Sequence, residues 1–378
     1  MRIRRCGLAV VPLLLAGWAA AQSTPKTALL ALSKQDHTLA LIDPVNLHVL
    51  ARIPVGDDPH EVIASADGKT AYVSNYGSGA HHTLAVIDLV GQKQMPFIDL
   101  GALRGPHGLD FEGGKVWFTA EAAKAIGSYD PATAKIDWIM GTGQDRTHMV
   151  YVFPGGKRIV TTNVSSATVT IMDKTEGRLG GPPQGMPPGG GPPPGMQPNG
   201  GPPQGGPAGA PGMPGTPGTG GPQGPPPGTP GGDWQLTVIP VGRGSEGFDV
   251  SPDGKELWVA NAQDGTVSVI DIAAKRVVAT LAVNVPGANR LKFTPDGKKV
   301  LVSPGSALVI LDAATRKEIK RLPTVHGSGG IQMQPDGARA YVACGPDNNV
   351  TVIDLNTLET AGHIDVAGPD GLAWAVRP

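Results

Sequence analysis

DVSPDGKELWVANAQDGTVSVIDIAAKRVVATLAV, residues 249–283, holds three short apolar runs, LWVA, TVSVI and VVATLAV, set apart by SPDG, NAQDG and DIAAK. Runs of this length bounded by Gly, Asn, Asp and Pro read as strands joined by tight turns. The stretch returns as KFTPDGKKVLVSPGSALVILDAATRKEIKRLPT (292–324) and as QMQPDGARAYVACGPDNNVTVIDLNTLETAGHIDV (332–366). Weaker copies are IASADGKTAYVSN (63–75), LDFEGGKVWFTAE (109–121) and YVFPGGKRIVTTN (151–163). A further short apolar stretch precedes each turn. Each unit is therefore expected to be a four-stranded antiparallel sheet.

The position five residues before the Ser or Thr of each SPDG-type turn aligns His60, His107, His148, Glu246, Asn289, Gly329 and Asp370. Successive intervals are 47, 41, 98, 43, 40 and 41 residues, and removing a 53-residue insertion reduces 98 to 45. Four-stranded units at roughly 40–50 residues are the period of a propeller. The expected fold is an all-β, seven-bladed β-propeller. Its first copy, TALLALSKQDHTLALID, lacks an opening strand, and DGLAWAV near the end has no partner. Pairing the two closes the first blade from both ends and removes the ring's free edges.

Two segments of unlike composition stand apart from this ring. Arg2, Arg4 and Arg5, the apolar run GLAVVPLLLAGWA and the small residues of AAAQS read as a signal peptide over 1–21, by the ordinary secretory route in preference to a twin-arginine one. Residues 22–378 then form a single propeller, periplasmic or extracellular, with no further transmembrane segment. Residues 180–232 carry no charge and are almost wholly Gly and Pro with Gln, Met, Thr and Ala. Such a segment has too little apolar surface to offset its ordering entropy, so disorder within blade 4 is expected. Gly206 to Gly224 do keep a three-residue register, but the flanking glycines break it, which favours a flexible loop over a collagen-like one.

Charge and cysteine usage narrow the function classes. The chain has 31 Lys and Arg against 32 Asp and Glu, and loss of the three signal arginines leaves 28 against 32. That balance gives no bulk attraction to nucleic acid. Of Cys6 and Cys344, only Cys344 remains after cleavage, so no internal disulfide is expected and stability rests on a packed core. A monomer is expected.

The units SPDGKELWVANAQDGTVSVID and QPDGARAYVACGPDNNVTVID resemble the YVTN-type repeats of YncE-like and surface-layer-associated β-propellers. The resemblance extends over about residues 27–378 apart from the insertion. It implies that each unit's first strand lines the central channel and starts on one face, the top. The aligned column then becomes a ring at the channel mouth. Three adjacent blades put histidine there, in DPHEV, GPHGL and RTHMV, and the fourth puts glutamate, in SEGFDV.

Three of nine histidines in seven equivalent places exceed what composition gives. His and carboxylate together suit zinc, copper or iron, so His60, His107, His148 and Glu246 are candidate ligands for a divalent transition metal. Asn289 and Asp370 extend the ring. A second column, at the end of each second strand, holds Ser33, Asn75, Glu121, Asn163, Asn261, Pro304 and Cys344. Its asparagines read as hairpin caps, Cys344 as a packed thiol, and Glu121 as either a cap or a member of the histidine cluster. Glu61, next to His60, is set aside because the matching places hold Gly, Met and Gly. Arg104, Arg146 and Arg243 precede the ring residues of three blades, and with His81 and His82 they point to a small anionic ligand.

Two functional readings follow. The first is a non-catalytic binding or scaffold module for a ligand, a metal, or a protein or cell-wall partner. The second is a metal-assisted enzyme of the lactonase or lyase kind, with Glu246 or Glu121 as ligand or general base. A haem-bearing propeller is a third option, and the lack of a C-x-x-C-H motif excludes covalent attachment of the common type.

Overall fold

The structure is a computed structural model that describes residues 23–175, 234–284, 287–303, 305–323, 325–327 and 329–378. The expected signal peptide (1–21), the Gly/Pro-rich insertion (180–232) and Pro304 lie outside the described residues. Of the described residues, 23–172 and those from Leu236 on belong to one compact unit, and 173–175 and 234–235 to a second. Among the described residues no helix is long and apolar enough to cross a membrane.

Seven four-stranded antiparallel sheets are arranged in a ring. Their first, innermost strands are Pro369–Val376 in blade 1, Pro59–Ala64 in blade 2, Pro106–Glu112 in blade 3 and Thr147–Val152 in blade 4. Ser245–Val250, Arg290–Phe293 and Ile331–Met333 follow in blades 5 to 7. Blade 1 closes as expected: Pro369–Val376 pairs antiparallel with Thr27–Ser33, from Thr27 opposite Val376 to Ser33 opposite Pro369.

Burial explains the sequence pattern. Second and third strands, such as Glu256–Asn261 and Thr266–Asp271, are buried on both faces because each blade is covered by a neighbour on either side. They therefore read as continuous apolar runs. Fourth strands, such as Arg276–Ala282, alternate exposed and half-buried at the periphery. The core is divided into clusters between neighbouring blades: Leu30, Leu41, Val73 and Ile87 join blades 1 and 2, and Trp258, Val269, Leu291 and Val302 join blades 5 and 6.

The turn chemistry follows from the repeated motif. In SPDG of blade 5, Asp253 Oδ1 accepts from Ser251 Oγ (2.7 Å) and from the Lys255 N–H (3.1 Å), while Gly254 takes φ +72°. Thr294 with Asp296 and Ser65 with Asp67 repeat the contact at 2.6 and 2.7 Å. The asparagines of the second column cap hairpins: Asn261 Nδ2 donates to Thr266 Oγ1 and Ser268 Oγ, and Asn163 Nδ2 to Thr168 Oγ1 and Thr170 Oγ1.

One irregularity places the site. In blade 2 the register runs from Pro59 opposite Asn75 to Val62 opposite Val73, so His60 and Glu61 together face Ser74 alone. The same β-bulge sets His107 and Gly108 against Thr119, His148 and Met149 against Thr162, and Glu246 and Gly247 against Ala260. Asp370 and Gly371 oppose Leu32 in the same way. A bulge re-aims side chains and frees a backbone N–H. Here it turns the ring residues toward the channel mouth.

Candidate functional site

Hydroxyl groups opposite the bulges satisfy the freed backbone and tie one blade to the next. Thr119 Oγ1 accepts from the Gly108 N–H (2.8 Å) and donates to the His148 carbonyl oxygen (2.8 Å). Thr162 Oγ1 accepts from the Met149 N–H (3.3 Å) and donates to the Glu246 carbonyl oxygen (2.5 Å). Gly108 leaves room for this approach, since a Cβ there would lie 2.5 Å from the His148 carbonyl oxygen. Small residues and hydroxyls thus hold the ring's backbones at close range.

The three ring histidines pack in a row. Ring centroids are 4.7 Å apart between His60 and His107 and 3.8 Å between His107 and His148. Tyr76 meets the first two edge-on at 4.8 and 5.2 Å. At the end of the row, His148 Nδ1 shares a 2.5 Å hydrogen bond with Glu121 Oε1, and the Tyr76 hydroxyl donates to Glu121 Oε2 at 2.6 Å. Arg146 Nε lies 3.6 Å from the same oxygen. His107, Glu121 and His148 are all buried, and a potential ligand atom from each lies within 4.8 Å of the others. His107 Nδ1 is buried with no hydrogen-bond partner.

Two charged groups flank this trio. Lys34 Nζ, from the loop after Thr27–Ser33, donates to His60 Nε2 (2.6 Å) and lies 3.2 Å from Asp58 and 3.4 Å from Asp370. Across the channel, Arg290 NH2 donates to Glu61 Oε1 at 2.8 Å, and NH1 lies 3.5 Å from His148 Nε2 and 3.8 Å from Glu246 Oε2. The Arg290 and Glu61 side chains are each 11% exposed.

These surroundings set protonation. Burial pushes the His107 imidazole well below its usual range, reinforced by His148, His60 and the two arginines. Burial also lowers His60, against the pull of Asp370. Both are neutral near pH 7, the state a metal ligand needs. Burial alone would raise Glu121, but the bonds from His148 and Tyr76 bring it below the ordinary carboxylate range. The Tyr76 hydroxyl, buried and bonded to Glu121, is pushed up to about 12. Burial raises Glu61, with Arg290 opposing; burial lowers Arg290, and Glu61, Asp370 and Glu246 more than reverse it.

The candidates from sequence therefore separate. His60, His107, His148 and Glu121 come together, Asp370 stands beside His60, and Glu246 faces Arg290 outside the compact trio. Asn289 contributes its carbonyl oxygen to Gly247 N–H and to Arg290, and its own Oδ1 is buried without a partner. Of the arginines, Arg146 reaches Glu121, Arg104 is exposed, and Arg243 is 74% exposed and bonded to Asp264. His82 pairs with Asp99 at the surface, and His81 lines a neighbouring surface pocket of about 350 Å³. Cys344 is fully buried against Thr351, its thiol pushed up by burial.

Glu61, Arg290, Lys34 and Tyr76 are the residues the sequence reading passed over. The column after the ring reads Glu61, Gly108, Met149, Gly247, Arg290, Gly330 and Gly371. Its two charged members have opposite sign, and they are the pair that meets.

Comparison with known proteins adds the following. The profile of the cytochrome D1 heme domain matches residues 229–334. No curated protein matches the chain in sequence. Among solved structures, a functionally unknown protein from Desulfotomaculum acetoxidans is similar over 93% of this chain and 99% of its own, at 11% identity and a TM-score of 0.67. Dihydro-heme d1 dehydrogenase NirN, in complex with DHE, is similar over 93% and 75% at 14% identity and 0.58. A protein provisionally assigned as a 6-phosphogluconolactonase from Bacteroides fragilis is similar over 92% and 97% at 16% identity and 0.65. These likenesses establish the seven-bladed propeller fold.

A haem does not fit the residues present. The matched stretch puts Glu246, Asn289, Gly329 and Arg290 at the mouth, and its one histidine, His326, faces Asp347 at 3.1 Å and is about half exposed. In blades 2 to 4 the tilted imidazole rings lie with centroids 3.8 and 4.7 Å apart, which leaves no slot for a macrocycle between them.

Proposed function

We propose that this chain is an exported YVTN-type propeller that binds a divalent transition metal ion at the channel mouth and acts as a binding module. His107, His148 and Glu121 are the ligands in this reading, with His60 and Tyr76 against them. The observation that carries it is the buried trio, with donor atoms within 4.8 Å and His107 Nδ1 without any other partner. Two imidazoles and a carboxylate form a donor set of the kind zinc accepts. Glu121 is itself held by Tyr76, as ligating carboxylates are by their surroundings.

Charge supports a cation over the anionic ligand that the arginines alone had pointed to. Five carboxyl side chains, Asp58, Glu61, Glu121, Glu246 and Asp370, stand round the site against three basic ones, Lys34, Arg146 and Arg290, an excess of two. A divalent ion balances that excess. Metal analysis of the purified protein should find about one equivalent, lost when His107 and His148 are replaced by Ala. Substoichiometric metal, unchanged by those substitutions, would sink the reading.

The second reading is a metal-assisted lactonase or lyase, favoured by one observation: Glu121 holds His148 as a carboxylate holds a catalytic imidazole. Turnover of a phosphorylated aldonolactone that disappears in His148→Ala would establish it over simple binding.

A further inference from the structure

We propose that Arg290 is a built-in competitor for the ion: its guanidinium stands against His148 Nε2 and must move toward Glu61 and Glu246 for a metal to take that nitrogen. This inference rests on the metal reading above and adds the element that sets the affinity of the site.

A guanidinium has only donors, and Arg290 NH1 stands 3.5 Å from His148 Nε2. His148 Nδ1 is already engaged by Glu121 Oε1 at 2.5 Å. An ion that takes Nε2 meets the guanidinium in its path and expels it. An ion at Nδ1 still has that positive charge across the ring.

The place it moves to is already built. NH2 is held by Glu61 Oε1 at 2.8 Å on the blade 2 side, and NH1 stands 3.8 Å from Glu246 Oε2 on the blade 5 side. The Arg290 side chain is 11% exposed, so water screens its charge poorly. It also rises from a column in which four of seven blades have glycine. A full positive charge beside His148 opposes an incoming cation, and a monovalent one gains least from displacing it.

Cobalt(II) titration followed by visible absorption tests this with wild type, Arg290→Met, Arg290→Lys and His148→Ala. Arg290→Met should bind cobalt about tenfold or more tighter than wild type, and Arg290→Lys close to wild type. Cobalt binding by wild type with no gain in Arg290→Met overturns the competitor and leaves the metal reading standing. No binding by wild type or by Arg290→Met, with both proteins folded, overturns the metal reading and this inference with it. Binding by Arg290→Met alone supports the competitor in its strongest form. If Arg290→Met fails to fold, the Nε–Hε resonance of Arg290 in the wild-type NMR spectrum decides. It should shift on addition of zinc, and an unmoved signal in zinc-bound protein overturns the inference.

Discussion

At Gly108 an added Cβ would lie 2.5 Å from the His148 carbonyl oxygen and 2.6 Å from Met149 Cα, and at Gly371 2.5 Å from the His60 carbonyl oxygen. Backbone atoms cannot yield as a flexible side chain can, so Gly108→Ala should cost about 1–3 kcal/mol in urea unfolding and, on the proposed metal reading, weaken metal binding by moving His148. Stability lost with unchanged affinity would show that the close approach serves packing alone. The same column explains what could be read at this scale. His60, His107 and His148 align because the repeat fixes their backbone positions. Glu61 and Arg290 are 229 residues apart, and their pairing depends on how far an arginine reaches across a channel, which no local pattern encodes. Lys34 and Tyr76 enter from loops after second strands, so alignment on the first strands passes them by.

Three innermost strands also carry a residue three places beyond the ring that fastens them to a neighbour. Asp110 Oδ2 accepts from the Val152 N–H (2.6 Å), Asp249 Oδ2 from the Phe293 N–H (2.8 Å), and Gln332 Nε2 donates to the Leu372 carbonyl oxygen (3.0 Å). Burial pushes the Asp110 carboxyl up from 3.8 to about 6, against the backbone N–H groups and Lys292 that lower it. A raised carboxyl is protonated more readily in the folded than in the unfolded chain. Its contribution is therefore present in full below about pH 3.8 and is lost as pH rises to about 6, up to about 3 kcal/mol. Relative to wild type, Asp110→Asn should lack this fall in unfolding free energy between pH 4 and 6; an identical pH profile would refute the assignment. The strands and the SPDG turns were legible in the sequence, since alternation and turn residues are local. The bulges were not: an extra residue at a register shift leaves no mark on a repeat that carries it in most copies.

The closed ring belongs to the whole molecule. Seven copies and an unpaired last strand sufficed to foresee it, because a propeller with an open blade exposes sheet edges. Removing residues 369–378 should leave Thr27–Ser33 with one free edge and let blade 1 open. We expect association in size-exclusion chromatography and cleavage at blade 1 in limited proteolysis, both reversed by a peptide of that sequence. A monodisperse, protease-resistant truncate would show that the blades hold without closure. The pairing of Thr27 with Val376 also has a consequence in time. The strand that seals the ring is the last of its strands to leave the ribosome, some 340 residues after the one it meets. Until then blades can form but the circle cannot, and contacts so distant in the chain form slowly. The channel mouth, drawing on blades 1 to 6, acquires its full set of charges only at that final step, so the meeting of Lys34 and Asp370 beside His60 marks a completed ring.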